Sequence, residues 1–387
     1  MFDFHLAGKR GKIVAIADIG SGSVGFAIVS VKRGAAATVL AAERAVLPLE
    51  ERTKEATIAA LGEQLVQVGT KVIRSYAAST KKMPPIRKAY SIIHAPWSRS
   101  RSVQAGGSFP EPRAITEAMI GVLAKHALED EKELDKRQLL EAAVTRVELN
   151  GYETREPEKK TAQRINVSAL ISDCDSGMRA AAAAALSTLV PHLAVVYRSS
   201  TRALLSAIHD LPEHAEDCLI VEIGSGGTNL TTVRDGAIGE QHGVGEGVTS
   251  ILKKLAPTGM PEETLSLIRM LGRDQCSSAA CEEIQNAMAK AEPELVRSFG
   301  EGMAACAASR KLPTNLILVV QADFAPWLSK FFTRIDFTQF TATTQPFSVS
   351  TLTVPELIQA VVPAERVVLD IGLALSAALV NREENGD

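Results

Sequence analysis

The chain has 387 residues, 46% hydrophobic and 22% charged, with a formal net charge of −3. That length exceeds one typical core and suggests two or three domains, and the composition excludes a disordered or collagen-like chain. The slightly acidic balance provides no basic face, so no nucleic acid is expected as a partner.

In chain order, Lys9, Arg10 and Lys12 precede an apolar run that ends at Ala17, before Asp18. This run is too short for a signal-peptide core. The first strong pattern follows at 12–34, KIVAIADIGSGSVGFAIVSVKRG. A buried strand ends at Asp18, glycines follow, and a β-branched run leads to a Lys-Arg-Gly turn. Gly20, Gly22 and Gly25 match the dinucleotide fingerprint G-x-G-x-x-G, which requires the glycines to open a helix. Val24, Phe26, Ile28, Val29 and Val31 favour strand instead, which excludes a nicotinamide-dependent dehydrogenase.

Helical spacing marks 51–75 through Ile58, Leu61, Leu65, Val68 and Val72, and marks 178–189 as well. Between them, 86–176 reads as a small inserted α/β unit. It holds a strand at Tyr90, a helix at 115–127, a charged run at 129–137 and strands at 142–149 and 165–171. The charged run reads as a solvated face or loop. The longest uncharged stretch, 180–197, is alanine-rich and broken by Pro191, so helix, turn and strand explain it better than a membrane span. The region 201–211 reads as a helix leading into the next strand. Cys174, Cys218, Cys276, Cys281 and Cys306 are odd in number and scattered, and read as reduced thiols of a cytoplasmic protein. Cys276 and Cys281 have no nearby histidine to complete a zinc site.

At 218–238 the first pattern recurs as CLIVEIGSGGTNLTTVRDGAI. An apolar strand, an acid, Ile-Gly-Ser-Gly, a β-branched strand and a charged glycine turn follow in the same order. Asp18 and Glu222 lie about half the chain apart, which predicts two related lobes. Such turns suit phosphate: Gly20, Gly22, Gly224, Gly226 and Gly227 let backbone N–H groups converge on an anion. Ser21, Ser23, Ser225 and Thr228 add hydroxyls. Asp18 and Glu222 can hold Mg²⁺ through water. The competing reading is two ordinary β-hairpins with glycine turns.

These two motifs resemble the phosphate motifs of the superfamily of actin, sugar kinases and heat-shock chaperones. The inserted unit resembles the extra SHS2-type subdomain of the FtsA and PilM branch. Gly243, Gly245, Gly247 and Thr249 resemble that branch's glycine–threonine link, and the run from Val367 through Asp370 and Gly372 resembles its closing strand and helix. The resemblance implies an actin-like (ribonuclease H-like) α/β fold of two lobes. The first lobe would span 1–85 and 177–212, the insertion 86–176, and the second lobe 213–387 with a smaller helical part at about 250–312 and the last helix closing the fold. It implies ATP and Mg²⁺ as cofactors. It also implies a scaffold that binds a short peptide of a membrane or filament protein and can self-polymerise.

Two segments depart from the family pattern. Where it brings a glycine pair to the adenosine, after the strand at 316–320, this chain has Gln321, Ala322 and Asp323. Where its helix carries a glutamate and a lysine, this chain places Leu265 and Ile268, with Glu263 and Arg269 nearby. Both departures weaken nucleotide recognition and spare the phosphate turns. The histidines, His94 among them, form no triad and read as surface or satisfied core residues, and no strained nucleophile turn is present.

The expectation is an actin-like cytoplasmic scaffold for type IV pilus assembly or cell division, with weak or degenerate ATP binding and at most slow hydrolysis. The division branch ends in a basic amphipathic helix, whereas 381–387 here is acidic and polar. Membrane contact at the inner face is therefore expected only through a partner. The alternative is a sugar or acetate kinase-like phosphotransferase using the same cleft.

Overall fold

The computed structural model describes residues 11–386 except 49, 51, 80–83, 155, 210–216 and 257–258. Lys9, Arg10 and His214 lie outside the described residues. In chain order the strands and helices of the first half are β1 (Lys12–Ile19), β2 (Ser23–Val31), β3 (Ala37–Val46), α1 (Lys54–Ser79) and β4 (Ile86–Ile93). β5 (Ser98–Ala114), α2 (Glu117–Asp130), β6 (Leu139–Leu149), β7 (Tyr152–Glu153) and β8 (Thr161–Cys174) follow. α3 (Ser176–Leu189), β9 (Val195–Ser199) and α4 (Ser200–His209) end this half. The second half has β10 (Cys218–Ile223), β11 (Thr228–Arg234), β12 (Ala237–Val244), α5 (Val248–Leu255), α6 (Pro261–Gly272) and α7 (Ala279–Cys306). It ends with β13 (Asn315–Val319), α8 (Ala325–Arg334), β14 (Ser348–Thr351), β15 (Val361–Pro363) and α9 (Ile371–Asn385).

Three sheets result, with strand orders β15-β3-β2-β1-β4-β9, β12-β11-β10-β13-β14 and β5-β8-β6-β7. β1 is central, antiparallel to β2 and parallel to β4, and both its faces are covered. Ile13, Ala15, Ala17 and Ile19 pack with Leu61, Leu65 and Met178 of α1 and α3, while Val14 and Ile16 face the other way. A strand buried on both faces is apolar throughout, which is why its sequence shows no alternation. β10 repeats the arrangement, antiparallel to β11 and parallel to β13. Leu219, Val221 and Ile223 serve the second lobe's core. Cys218 and Ile220 join Val14 and Ile16 in a core that both lobes share with α4 and α9.

The chain's last elements return to the first lobe. β15 pairs in parallel with β3, and Leu373, Ala374 and Ala377 of α9 lie in the shared core. The sequence reading kept everything after 213 in the second lobe; the open edge of β3 and a helix apolar nearly all round bring this segment back. The closing strand also falls at Val361–Pro363, ahead of the expected 367–370, because Asp370 caps α9 by accepting from Leu373 N at 3.0 Å.

β4 belongs to the first lobe's sheet, so the inserted sheet begins only at Ser98. Its long first strand, β5, was not legible because glycines and prolines interrupt its pattern. The inserted sheet has its own small core around Ile120, Val147, Ile165 and Val167. Glu141 fastens it to the first lobe by accepting from Ser199 N at 2.8 Å, Ser199 Oγ at 2.6 Å and Arg202 Nη1 at 3.0 Å. β5 also reaches the second lobe, where Ser100 N donates to Gln241 Oε1 at 3.1 Å and Ile238 N donates to Ser102 Oγ at 2.8 Å.

The cysteine reading is corrected at one pair. Cys276 and Cys281, in the approach to α7 and its first turn, lie with Cα atoms 5.7 Å apart and form a disulfide. Cys174, Cys218 and Cys306 are free and buried.

Candidate functional site: the cleft between two glycine turns

The two repeated motifs fold alike to the hydrogen bond. In the first turn Gly20 N donates to Ser23 O at 2.8 Å, and in the second Gly224 N donates to Gly227 O at 2.9 Å. Asp18 pairs across its hairpin with Gly25, and Glu222 with Asn229, at matching register. The turns face each other across a cavity of about 1050 Å³ lined from both lobes.

Asp18 is fully buried and saturated. Its Oδ1 accepts from Arg44 Nη2 at 2.6 Å, and its Oδ2 from Ser376 Oγ at 2.6 Å and from His94 Nε2 at 2.9 Å. Arg44 reaches it along a row of paired residues: Arg44 on β3 lies opposite Gly25 on β2, which lies opposite Asp18 on β1. A Cβ at Gly25 would stand 2.9 Å from Arg44 Nη2, so the third glycine of the fingerprint clears a path for a guanidinium. Arg44 also pairs with Asp370 at 3.0 Å.

The other ring nitrogen of His94 lies 2.6 Å from Glu222 Oε1. With a carboxylate at each nitrogen, both must donate, so the ring is an imidazolium linking the first lobe to the second. Burial opposes that charge, but Asp18 and then Glu222 push the imidazole up to about 10. Burial likewise opposes ionised Asp18, yet His94 and Arg44 hold it well below the usual carboxylate range. Sequence reasoning dismissed His94. Its place is set by the pairing of β4 with β1, since His94 sits two residues past Ile92, the partner of Asp18 in the parallel pair. Gln321 stands in the same relation to Val319, the partner of Glu222.

Several of the groups expected to bind phosphate are also engaged within the protein. Gly226 N donates across the cleft to Ser21 Oγ at 2.9 Å. Thr228 Oγ1 donates to Glu246 O at 2.6 Å, and Ser23 Oγ accepts from Arg44 Nη1 at 3.2 Å. The first amides of α5 are spent on the second turn, Val248 N on Gly224 O at 2.9 Å and Thr249 N on Ser225 O at 3.0 Å. Gly247 permits that contact, since a Cβ there would fall 2.4 Å from Gly227 N. Gly20, Gly22, Ser225 and Gly227 lie in the turns themselves.

Gln321, Ala322 and Asp323, where the sequence resemblance places the adenosine, follow β13 and line the cavity. Arg269 of α6 donates to both oxygens of Asp323, at 2.8 Å each. Ile268 is buried in the second lobe's core and presents nothing to the cleft.

Mg²⁺ does not fit the acids as they stand. It needs oxygen ligands and retains water around it. All of Asp18 and Oε1 of Glu222 are taken by donors, and the histidine ring lies between the two carboxylates. One acid oxygen, Glu222 Oε2, is buried with no hydrogen-bond partner. Among the described residues no group of three or more His, Cys, Asp or Glu side chains is placed to hold a metal ion.

Two hairpin-led sheets facing each other across a cleft, each with an acid before a glycine turn, define the two-lobed actin-like ATPase fold. Among solved structures the chain is similar to one from a PilM–PilN type IV pilus biogenesis complex, with 15% identity over 96% of this chain and 98% of that one and a TM-score of 0.55. An ethanolamine utilization protein EutJ from Carboxydothermus hydrogenoformans aligns more distantly, at 11% identity over 95% of this chain and 89% of that one, with a TM-score of 0.43. No family model and no curated protein matches the sequence.

Proposed function

We propose that this chain is a cytoplasmic actin-like scaffold of the PilM kind, which recruits a protein partner in type IV pilus assembly and does little or no ATP turnover. The observation that carries this reading is the direct joining of the lobes by protein groups. His94 sits between the two acids, and Ser21 sits on the amide of Gly226. A phosphotransferase needs those acids and amides for metal and phosphate, and needs a clear adenosine seat. Here the seat carries the Arg269–Asp323 pair. The similarity to a chain of a PilM–PilN complex supports the pilus arm over the division arm. Membrane association comes through the partner. Among the described residues no helix is long and apolar enough to cross a membrane.

Two measurements test the reading. Phosphate release from Mg–ATP should not exceed that of an Asp18→Ala variant, and transfer of phosphate to a sugar or acetate would overturn the scaffold. Deleting the gene in its host should remove surface pili and leave cell length unchanged. Filamentous cells that keep their pili would move the role to division.

A further inference from the structure

The cleft's two acids invite a divalent cation between them, and the chain supplies something else there. Asp18 is the penultimate residue of β1 in the first lobe and Glu222 that of β10 in the second, and one histidine ring reaches both carboxylates across the lobe boundary. Their repulsion would hold the lobes apart unless a positive charge stood between them. His94, immediately after β4, reaches Asp18 Oδ2 at 2.9 Å and Glu222 Oε1 at 2.6 Å. Arg44 neutralises the far side of Asp18 at 2.6 Å. Ser21 Oγ, an oxygen of the protein, takes the amide of Gly226 that an anion would take.

We propose that His94 stands in for the divalent cation of the actin-like cleft, so that this chain keeps its lobes together without metal. The clasp has an ion-like core of His94, Asp18 and Glu222 and a second contact from Ser21 to Gly226. It goes beyond the partner role above, since a metal-free clasp would serve a scaffold of any partner. The fold thereby keeps the closed arrangement permanently available, where a metal-dependent cleft would open on chelation.

The full chain tests this directly. Small-angle scattering and thermal unfolding of the wild type should give the same radius of gyration and the same midpoint in Mg²⁺ alone and in a chelator. Mn²⁺ added as a paramagnetic probe should show no protein-dependent enhancement of water relaxation. His94→Ala should leave two facing carboxylates: a larger radius of gyration in chelator, and return to the wild-type value on adding Mg²⁺. Rescue by a divalent cation is a response that loss of packing alone would not produce. If His94→Ala does not fold, His94→Gln, of similar reach but without charge, takes its place in the same comparison. The proposal is overturned if the wild type binds Mn²⁺ and Glu222→Gln abolishes the binding. It is equally overturned if chelation expands the wild type, or if the variant keeps the wild-type radius and ignores Mg²⁺. None of these outcomes bears on whether pili are lost on deletion, so the two readings fail separately.

Discussion

The two glycine turns share a backbone and differ in how their acids are treated. Asp18 is buried and receives Arg44, Ser376 and His94, while Glu222 receives His94 on one oxygen and leaves the other without a partner. The surrounding lobes differ in the same sense: α9 and β3 crowd the first acid, whereas among the described residues nothing in the second lobe supplies a donor to Glu222. A duplicated backbone can thus hold one acid as a structural anchor and keep its twin as the receiving end of a clasp. The lesson is that hairpin register survives while side-chain chemistry is redistributed around it.

Substitutions at the two acids probe this asymmetry most strongly. Asp18→Ala strands Arg44 and His94 in the interior and should cost about 3–5 kcal/mol in urea unfolding, the usual result of removing one partner of a buried ion pair. Glu222→Ala removes a single contact and should cost less, about 1–3 kcal/mol. Equal losses would erase the distinction. A pH series asks the same of the histidine. The folded-state value of His94, about 10, lies above its ordinary 6.5, so its contribution is complete below about 6.5 and is lost as pH climbs through about 10. The urea midpoint should fall across that alkaline range, and His94→Gln should flatten the fall. Gly247→Ala pushes a methyl into Gly227 N and should cost about 1–3 kcal/mol by overpacking, whereas the exposed Gly243 should accept alanine with little change. The smallest effect belongs to the Arg269–Asp323 pair. Arg269 is half exposed, and Arg269→Ala should leave the urea midpoint nearly unchanged, as expected of a solvent-screened pair. A larger loss there would mean that the Asp323 pair supports the second lobe's core.

Much of this is legible in the sequence. The repeated acid–glycine pattern announced two lobes because backbone hairpins depend on residue types at fixed local offsets, and Gly20 and Gly224 obey them. The helices at Lys54–Ser79 and Ser176–Leu189 were legible for the same reason, a local period. His94 was not, because its role depends on strand β4 lying parallel to β1, a pairing between segments distant in the chain. Arg44 was hidden for a similar reason: it meets Asp18 only across the strand between them. The return of β15 and α9 to the first lobe was missed because sequence order suggested that a segment after the second lobe belongs to it.

That return carries a consequence for how the protein comes into being. β15 and α9 are translated only after the whole second lobe, yet β15 pairs with β3, and α9 supplies Ser376 to Asp18 and Leu373 to the shared core. A nascent chain on the ribosome therefore carries a first lobe with an unpaired β3 edge and an apolar groove awaiting its helix. The first lobe's completion therefore waits on the synthesis of α9, the element that covers this groove.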